Sequence, residues 1–379
     1  MTIQRVSIFL PSPTPFYKAL LKQMIRGFEQ LGIQTNGDVA LLDEEALTKW
    51  VRNYEPDLII EMNRPRSEIP FLKKEILHVA WIVDFNGRSM DHFKGSDITY
   101  FFCGTWVTDF PYDTASGLLS PGACTETYRS GSRRFESTLS FVGHISAPWS
   151  EAELSRPMNQ AGHALYTFGE FLPHYRKELD NYSKESFKHD DYFTKADRIY
   201  RELTGTSLKI DDDALLYDIG CRVVRFRNRQ KTMDTIVKET DSIRLYGPEN
   251  WAKWPEYRAY YEKFLTDPEE IRRVYQSSRF NVHEGVGMHF RTMDCMSSGG
   301  LIMYRDIPEN ELFGGLEDHF EHDRHYIRFH LEEFPEVFRS YVNRPDHCAE
   351  IRRNAMEEIR ANHTWRHRAI QIMNDINKL

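Results

Sequence analysis

Residues 279–306, RFNVHEGVGMHFRTMDCMSSGGLIMYRD, constrain the fold of this chain more than any other stretch. A short apolar run, Phe280–His283, leads into a glycine-bearing turn at Glu284–Gly287. A helical stretch follows from about Met288 to Ser298, and a second apolar run, Leu301–Tyr304, begins after two glycines. This order predicts a strand–turn–helix–strand unit with the crossover length that a parallel sheet requires.

The turn in this unit predicts a binding site for a phosphorylated ligand. It lies at the carboxyl end of a strand and the amino end of a helix, where unpaired N–H groups and the helix dipole favour an anion. Gly285, Gly287, Met288 and His289 would supply those N–H groups, as in other open α/β sheets. The competing interpretation is an ordinary turn that needs glycine for a positive φ.

The rest of the chain predicts an α/β protein built from two domains, each with alternating strands and helices. Short apolar runs such as Val6–Leu10, Asp57–Glu61 and His78–Val83 alternate with helical or loop stretches in the first ~125 residues. This alternation is typical of a parallel, doubly wound sheet whose two faces are covered. After a polar stretch at Ser130–Arg134, which indicates a linker, the run Leu139–Val142 opens a second unit.

The predicted organisation has three parts. Residues 1–130 would form an N-terminal Rossmann-like domain, and residues 136–355 a C-terminal one. The polar, aromatic, helix-prone stretch of about 148–218 breaks the alternation and predicts a helical insertion in the second domain. Residues 356–379 would form a closing helix.

Composition narrows the function classes. The 379 residues carry a net charge of −8, which gives no basic footprint for nucleic acid. The five scattered cysteines show no zinc or disulfide spacing and predict a reducing, cytoplasmic setting. No run reaches the ~20 apolar residues of a spanning helix, so any membrane contact is expected to be peripheral.

The helix and strand after the turn carry a resemblance to a known family. The pattern R-x-x-E-x-x-x-x-G-G of the CgeB-like (spore maturation protein) glycosyltransferases reads Arg291 to Gly300 here, with Asp294 in place of the glutamate. The wider retaining family has another glutamate eight residues earlier. That position is Val286, with Glu284 nearby. The resemblance implies two facing Rossmann-like domains, the GT-B architecture, with the closing helix packed back on the N-terminal domain.

The resemblance also implies a donor site in the C-terminal domain. Asp294 would hold the ribose, since one carboxylate can accept from two vicinal hydroxyls; the alternative is an i, i+3 ion pair with Arg291. Other candidates follow strand ends or are cations suited to a diphosphate. They are Gly143, Tyr246, Gly247, Glu284, Gly285, Gly287, Met288, His289 and Arg291, with Arg225 and Arg229 as phosphate candidates. For Arg225 and Arg229 the competing interpretation is a solvated helix face, and for Glu284 a surface turn.

Three residues are candidates for catalysis. Asp84 follows an apolar strand of the N-terminal domain, so it would face the cleft as the base on the acceptor side, or else cap the next helix. His144 and His289, like His283, lie near strand ends, where a histidine could orient the sugar or act as a base, or simply serve the structure.

The predicted function is transfer of a sugar from a nucleotide-diphosphate donor, most readily a UDP-linked one, to a hydroxyl. No Asp-x-Asp follows a strand, so neither metal nor other cofactor is expected, and the resemblance favours retention. The acceptor stays open among protein, glycan, lipid, small molecule and modified DNA base. Two alternatives remain: a sugar-nucleotide epimerase of the same fold and a non-catalytic nucleotide-sugar-binding protein.

Overall fold

A computed structural model describes residues 3–85, 88–131, 134–159, 166–180, 191–285, 287–307, 310 and 315–379. The described residues form two separate six-stranded sheets, and every strand pair in each sheet is parallel. The predicted α/β class with two Rossmann-like domains is therefore confirmed. Parts of three predicted features lie outside the described residues: 132–133 of the linker, 160–165 and 181–190 of the helical insertion, and Val286 of the turn.

The N-terminal sheet has the strand order β2-β1-β3-β4-β5-β6. Its central strands are almost wholly buried because helices cover both faces. Its elements are β1 (Arg5–Phe9), α1 (Pro15–Glu29), β2 (Gln34–Asp38), α2 (Glu44–Tyr54), β3 (Leu58–Met62), β4 (Leu77–Ile82), β5 (Ile98–Phe101), α3 (Gly104–Thr108) and β6 (Ala115–Leu118).

The C-terminal sheet has the order β12-β11-β10-β7-β8-β9. Its strands are β7 (Ser137–Val142), β8 (Ile243–Tyr246), β9 (Tyr261–Lys263), β10 (Ser278–Glu284), β11 (Ile302–Arg305) and β12 (Ile327–Phe329). The helices from β7 onward are α4 (Glu151–Leu154), α5 (Phe168–Asp180), α6 (Asp191–Thr204), α7 (Asp213–Tyr217), α8 (Val223–Ile236), α9 (Pro268–Ser277), α10 (Phe290–Ser297), α11 (Phe334–Val342), α12 (Pro345–Asn362) and α13 (Trp365–Ile376).

Helices α4 to α7, which lie between β7 and α8, pack around a hydrophobic cluster of their own. The cluster includes Phe168, Phe171, Tyr175, Tyr200 and Leu215. A separate core gives this part of the chain the rigidity of a small subdomain rather than that of a loop.

The carboxyl edges of the two sheets face each other, and one aromatic side chain joins them. Phe290, the first residue of α10, lies against Phe16, which follows β1, with ring centroids 5.2 Å apart. The same ring is 5.8 Å from Trp81 of β4 and stacks at 5.9 Å on Phe102, which follows β5. The start of α10 is therefore built into the hydrophobic core of the N-terminal sheet.

The last helix, α13, packs against α1 of the N-terminal half. The approach is so close that a Cβ added to Gly27 would lie 2.7 Å from the backbone of Trp365. The Tyr100 hydroxyl donates to Asp375 at 2.7 Å, and the buried Arg368 guanidinium donates to the Ser120 carbonyl at 2.8 Å. Residues of α13 thus form part of the core of the N-terminal sheet.

A buried ion pair lies on β3 of the N-terminal sheet. The Glu61 carboxylate accepts hydrogen bonds from Arg64 and lies 3.3 Å from the His78 imidazole, and each of the three side chains is buried. Burial by itself would raise the pKa of Glu61, but the hydrogen bonds from Arg64 and His78 outweigh it and hold that pKa below its ordinary 4.5.

Glu61→Gln should lower the stability of the protein by roughly 3–5 kcal/mol at pH 7, because the Arg64 charge then lies buried without its counter-ion. Since the folded pKa of Glu61 is depressed, its contribution is present above pH 4.5 and is lost as the pH falls through the folded value. The urea midpoint, followed by tryptophan fluorescence at several pH values, measures both effects.

The matched control is Glu55→Gln, which removes a solvent-exposed ion pair with Arg5 at 2.9 Å. A surface pair of this kind contributes about 0–1 kcal/mol, so the midpoint should hardly move. Equal shifts for the two variants would contradict the role assigned to the buried pair.

Candidate functional site

The predicted strand–turn–helix unit is present as β10, a turn of which Gly285 and residues 287–289 are described, and α10. Gly287 has φ = +67°, a left-handed conformation that glycine adopts without strain. His289 caps α10, because its Nδ1 accepts a hydrogen bond from the backbone N–H of Arg291 at 3.2 Å. In the neutral ring this leaves the proton on Nε2, which can donate to a ligand.

Arg291 links this turn to the end of β7. Its Nη1 donates to the Val142 carbonyl at 2.6 Å. The guanidinium fits there only because the next residue is glycine: a Cβ on Gly143 would collide with Arg291 and would lie 2.6 Å from the Phe141 ring. The close packing of Arg291 therefore requires glycine at position 143, which is one of the predicted site residues.

Arg229 of α8 lies on the other side of the same corner. Its guanidinium forms an ion pair with Glu284 at the end of β10, donates to the His144 carbonyl and lies 4.5 Å above the Phe141 ring. The structure thus brings together two predicted site residues, Arg229 and Glu284, as partners of each other. Their predicted roles toward phosphate and sugar stay predictions.

Arg225 lies one helical turn before Arg229 and is exposed to solvent. Among the residues that the structure describes, it forms no hydrogen bond or ion pair. It is close enough to His144 to contribute to the low pKa of that imidazole, although burial and Arg229 contribute more. Of the two phosphate candidates on α8, Arg225 is the one whose guanidinium group is not bound to another described residue.

Three imidazoles at this corner are neutral at pH 7. Burial first, and then nearby arginines led by Arg229, lower the pKa of His144 below its ordinary 6.5. Burial and then Arg291 hold the pKa values of His283 and His289 well below 6.5. An anion placed here would find an excess of positive charge and neutral hydrogen-bond donors.

His283 has a buried atom with no partner among the described residues. The side chain is 3% exposed, stacks on Tyr304 at 5.7 Å and lies 5.6 Å from the His289 ring, yet its Nε2 forms no hydrogen bond. An unpaired buried nitrogen costs about 1–3 kcal/mol. A bound ligand would remove that cost by supplying the partner.

The predicted nucleobase end, Tyr246 and Gly247, lies at the carboxyl end of β8, beside β7. The Gly143 N–H donates to the Tyr246 carbonyl at 2.8 Å. Trp251 and Trp254 hold the same loop by donating to the carbonyls of Gly143 and Ser146, at 2.8 and 3.0 Å. This scaffolding role could not be predicted from the sequence, since an aromatic cluster equally suggests ligand stacking.

Phe264 is a second feature at this end. It directly follows β9, whose Lys263 carbonyl accepts a hydrogen bond from the Gly247 N–H at 3.0 Å, and its ring is 58% exposed. A large exposed ring at the carboxyl edge of a sheet, beside a candidate base site, is available for stacking. An aromatic residue directly after a short strand is the signal that could have revealed it.

Asp294 forms a contact that neither sequence-based interpretation predicted. Its carboxyl group is hydrogen-bonded to the hydroxyl of Tyr128, in the segment that connects the two sheets, and burial raises its pKa well above 3.8. No ion pair with Arg291 forms between these two described residues, so the surface-pair alternative is not observed. The predicted ribose role is left to experiment.

Asp84 lies at the carboxyl end of β4, exposed on the N-terminal side of the cleft. Asn63, which has φ = +61°, fixes this position: its side-chain oxygen accepts from the N–H groups of Val83 and Asp84 at 2.7 and 3.0 Å. The structure thus separates the predicted acceptor side, at Asp84, from the donor candidates on β7, β8 and α10.

Solved structures of low sequence identity share this fold. Sucrose-phosphate synthase from Thermosynechococcus elongatus is 7% identical, with a TM-score of 0.55 over 99% of this chain and 98% of that chain. An alpha-glucosyltransferase solved with UDP and a 13-mer DNA containing a HMU base is 9% identical, with a TM-score of 0.54 over 99% and 100% of the two chains. HepE of Anabaena, solved with UDP-glucose, is 10% identical, with a TM-score of 0.52 over 99% and 100%.

The fold is thus that of the two-domain GT-B glycosyltransferases. Residues 227–374 match the family described as glycosyl transferase-like, and this stretch includes α10 with its N-terminal turn. No curated protein matches the chain. Among the described residues, no helix is long and apolar enough to cross a bilayer.

Gly143→Ala should weaken the binding of UDP by about 10- to 150-fold, because the new methyl group displaces the Arg291 guanidinium and removes a charged hydrogen bond worth roughly 1.5–3 kcal/mol. Calorimetric titration with UDP measures the loss. Gly104→Ala is the control, since nothing lies within 4 Å of its added Cβ. Unchanged UDP affinity in Gly143→Ala would contradict a ligand-binding role for Arg291.

Proposed function

We propose that the protein transfers a sugar from a UDP-linked donor to an acceptor hydroxyl. The observation that carries this proposal is the positively charged corner where α10 begins. Arg225, Arg229 and Arg291 lie there beside neutral imidazoles, and among the described residues only Arg229 is paired with a carboxylate, that of Glu284. Negative charge grows on the diphosphate as the bond to the sugar breaks, so donors fixed at that position stabilise the transition state more than the ground state.

In this proposal the diphosphate lies across the N-terminus of α10. The backbone N–H groups of Gly287 and Met288, the Nε2–H of His289 and the guanidinium groups of Arg225 and Arg291 would bind its oxygens. His144 and Glu284 would contact sugar hydroxyls, and Gly285 leaves space for the ring because nothing lies within 4 Å of an added Cβ. Tyr246 and Gly247 would border the uracil, and Asp294 the ribose.

Transfer requires one bond to form and one to break. The acceptor oxygen bonds to the anomeric carbon, and the bond from that carbon to the diphosphate oxygen breaks, with the electron pair leaving on UDP. Asp84 would hold the acceptor hydroxyl and accept its proton. We propose retention of configuration, which the resemblance to the CgeB-like enzymes favours, and transfer without a metal ion or other cofactor.

The proposal includes two further predictions made from the sequence. The protein would be related to the CgeB-like enzymes in particular, and it would be located in the cytoplasm. The structures solved with UDP and with UDP-glucose support the choice of uracil, since each of those proteins shares this fold.

The first test is a thermal-shift titration with UDP, with and without EDTA. A ligand that binds only the folded state raises the melting temperature in proportion to ln(1 + [L]/Kd), so UDP should stabilise the protein in both buffers. Arg225→Gln should weaken UDP about tenfold by removing one charged contact. The control is Arg324→Gln, an exposed arginine that forms an ion pair with Glu321 just before β12.

Incubation with UDP-glucose and no acceptor then separates the alternatives. An epimerase would convert the sugar without a second substrate, whereas a non-catalytic protein would bind UDP and turn nothing over. No stabilisation by any nucleotide diphosphate at millimolar concentration would overturn the donor site itself.

Asp294→Asn tests the ribose contact. UDP affinity should fall by roughly 10- to 150-fold, since one good acceptor and the charge are lost. Burial raises the folded pKa of Asp294, so the wild-type protein loses stability as the pH rises through that value and the carboxyl group ionises. Asparagine does not ionise, so the ligand-free variant should be at least as stable as wild type above pH 4.

Paired urea and UDP titrations at pH 5 and 8 give both quantities for wild type and variant. Unchanged UDP affinity in Asp294→Asn would show that this carboxyl group contacts Tyr128 but does not bind the ribose.

A further inference from the structure

The helical run from α7 through α8 presents one continuous face. This face leads away from the proposed donor site at the ends of β7 and β10 and the start of α10. Residues Asp218–Arg222 form a single π-turn between the two helices, so the run is unbroken from Asp213 to Ile236. Tyr217, Cys221, Arg225 and Arg229 follow at intervals of four residues, which is the spacing of neighbours on one helix face. At 1.5 Å per residue the face extends about 18 Å from Arg229 to Tyr217.

Buried ion pairs hold the outer part of this face in place. Asp218 is 2% exposed and accepts hydrogen bonds from Arg156 and Arg222. Arg222 also donates to the Ala147 carbonyl at 2.9 Å and to Glu153 at 2.6 Å, which joins the π-turn to the loop that follows β7. Single π-turns inside helices occur often at functional sites. The helical insertion is thereby fixed to the loop that carries His144.

The opposite wall belongs to the N-terminal domain. Asp84 follows β4, and Phe16 and Tyr17 begin α1 at the same carboxyl edge of the sheet. The Phe290 ring of α10 lies 5.2 Å from the Phe16 ring, so the two walls meet where α10 begins. Farther along the helix face, burial first and then the Asp84 carboxylate raise the pKa of the half-buried Cys221 thiol, which places Asp84 near that face.

Two aromatic rings at this opening are exposed to solvent. Tyr217 is 52% exposed, and Phe16 is 47% exposed even though one side of its ring lies against Phe290. Rings of this size that remain in solvent on both sides of a cleft are typical of a binding surface.

We propose that the face Tyr217–Arg225, together with Phe16 and Asp84, is the acceptor site, and that it takes a hydroxylated ring, the sugar unit of a glycan or glycoside. This inference rests on the proposed transfer function and assigns the helical insertion its role. The apolar face of a sugar ring would stack on Tyr217 and Phe16, while the Asp84 carboxylate would accept hydrogen bonds from its hydroxyls.

The charges favour a sugar over a nucleic acid as the occupant. A single-stranded nucleic acid also stacks on aromatic side chains, but it needs a positively charged groove along its backbone. Here the positive charge of Arg225 is accompanied by the Asp84 carboxylate, Arg222 is neutralised by Asp218 and Glu153, and the chain carries a net charge of −8.

Saturation-transfer NMR on the full chain saturated with UDP tests the proposal, with a pool of neutral disaccharides and, separately, oligothymidylate as probes. Disaccharide signals should appear with wild type and bind about tenfold more weakly to Tyr217→Ala, while Tyr217→Phe retains them. Asp84→Asn serves as a second variant from the opposite wall, because it removes the carboxylate that is proposed to accept from the sugar hydroxyls. The control is Tyr54→Ala, an exposed ring at the end of α2, before β3 and therefore at the other edge of the sheet.

UDP affinity, measured on the same samples, separates this inference from the proposed function. UDP binding that is equal in all variants, with disaccharide binding weakened only in Tyr217→Ala and Asp84→Asn, supports the acceptor site. Disaccharide binding that is absent from wild type, unaffected by both substitutions, or replaced by oligothymidylate binding overturns it while the donor site stands. Loss of UDP binding in wild type would instead overturn the proposed function.

Discussion

The insertion of Phe290 into the core of the N-terminal sheet is the contact on which the geometry of the cleft depends. The ring lies at the first residue of α10, so the helix terminus that is proposed to bind the diphosphate is held by contacts to Phe16, Trp81 and Phe102. Donor binding and domain arrangement therefore share one element. A ligand that moves the start of α10 must also move a side chain that both domains bury.

The second constraint is electrostatic. Arginines gather at the ends of β7 and β10 with fewer carboxylates than their charge requires, and the pKa of Arg291 is lowered to about 10, first by burial and then by Arg229. Such an arrangement is costly in an empty protein because like charges lie close together in a partly buried site. The hydrogen bonds of Arg291 and Arg229 to backbone carbonyls keep both guanidinium groups in place, and among the described residues the only carboxylate paired with either of them is that of Glu284, on Arg229. The proposed binding of an anion would return the stability that is lost there.

Much of the fold followed from the sequence, because its strands are short apolar runs buried on both faces and its turns carry glycine. The strands predicted at Val6–Leu10 and Leu139–Val142 are found at Arg5–Phe9 and Ser137–Val142. The strand at Gln34–Asp38 was not predicted: it is a polar edge strand, QTNGD, whose conformation comes from pairing with β1 and not from its own side chains. A pattern of hydrophobicity carries no signal for such a strand.

The candidate site was likewise predictable from the sequence only in part. Gly143, Tyr246, Gly247 and the start of α10 could be placed at one corner from the sequence, because parallel strands bring their carboxyl ends to one edge. Side-chain partners could not be foreseen, since contacts such as Asp294 with Tyr128, or Arg229 with Glu284, join residues far apart in the chain. The exposed ring of Tyr217 was equally hidden, because a tyrosine in a helical stretch is buried as often as not.

The packing of α13 on α1 has a consequence for how the protein is made. The core of the N-terminal sheet contains Trp365, Ala369, Ile372 and Ile376, which the ribosome supplies more than 200 residues after β6. While the C-terminal sheet is being synthesised, the groove along α1 that receives Trp365 stays uncovered. The N-terminal half therefore completes its folding only after the C-terminal half has emerged, and a chaperone that recognises apolar surface has that interval in which to act.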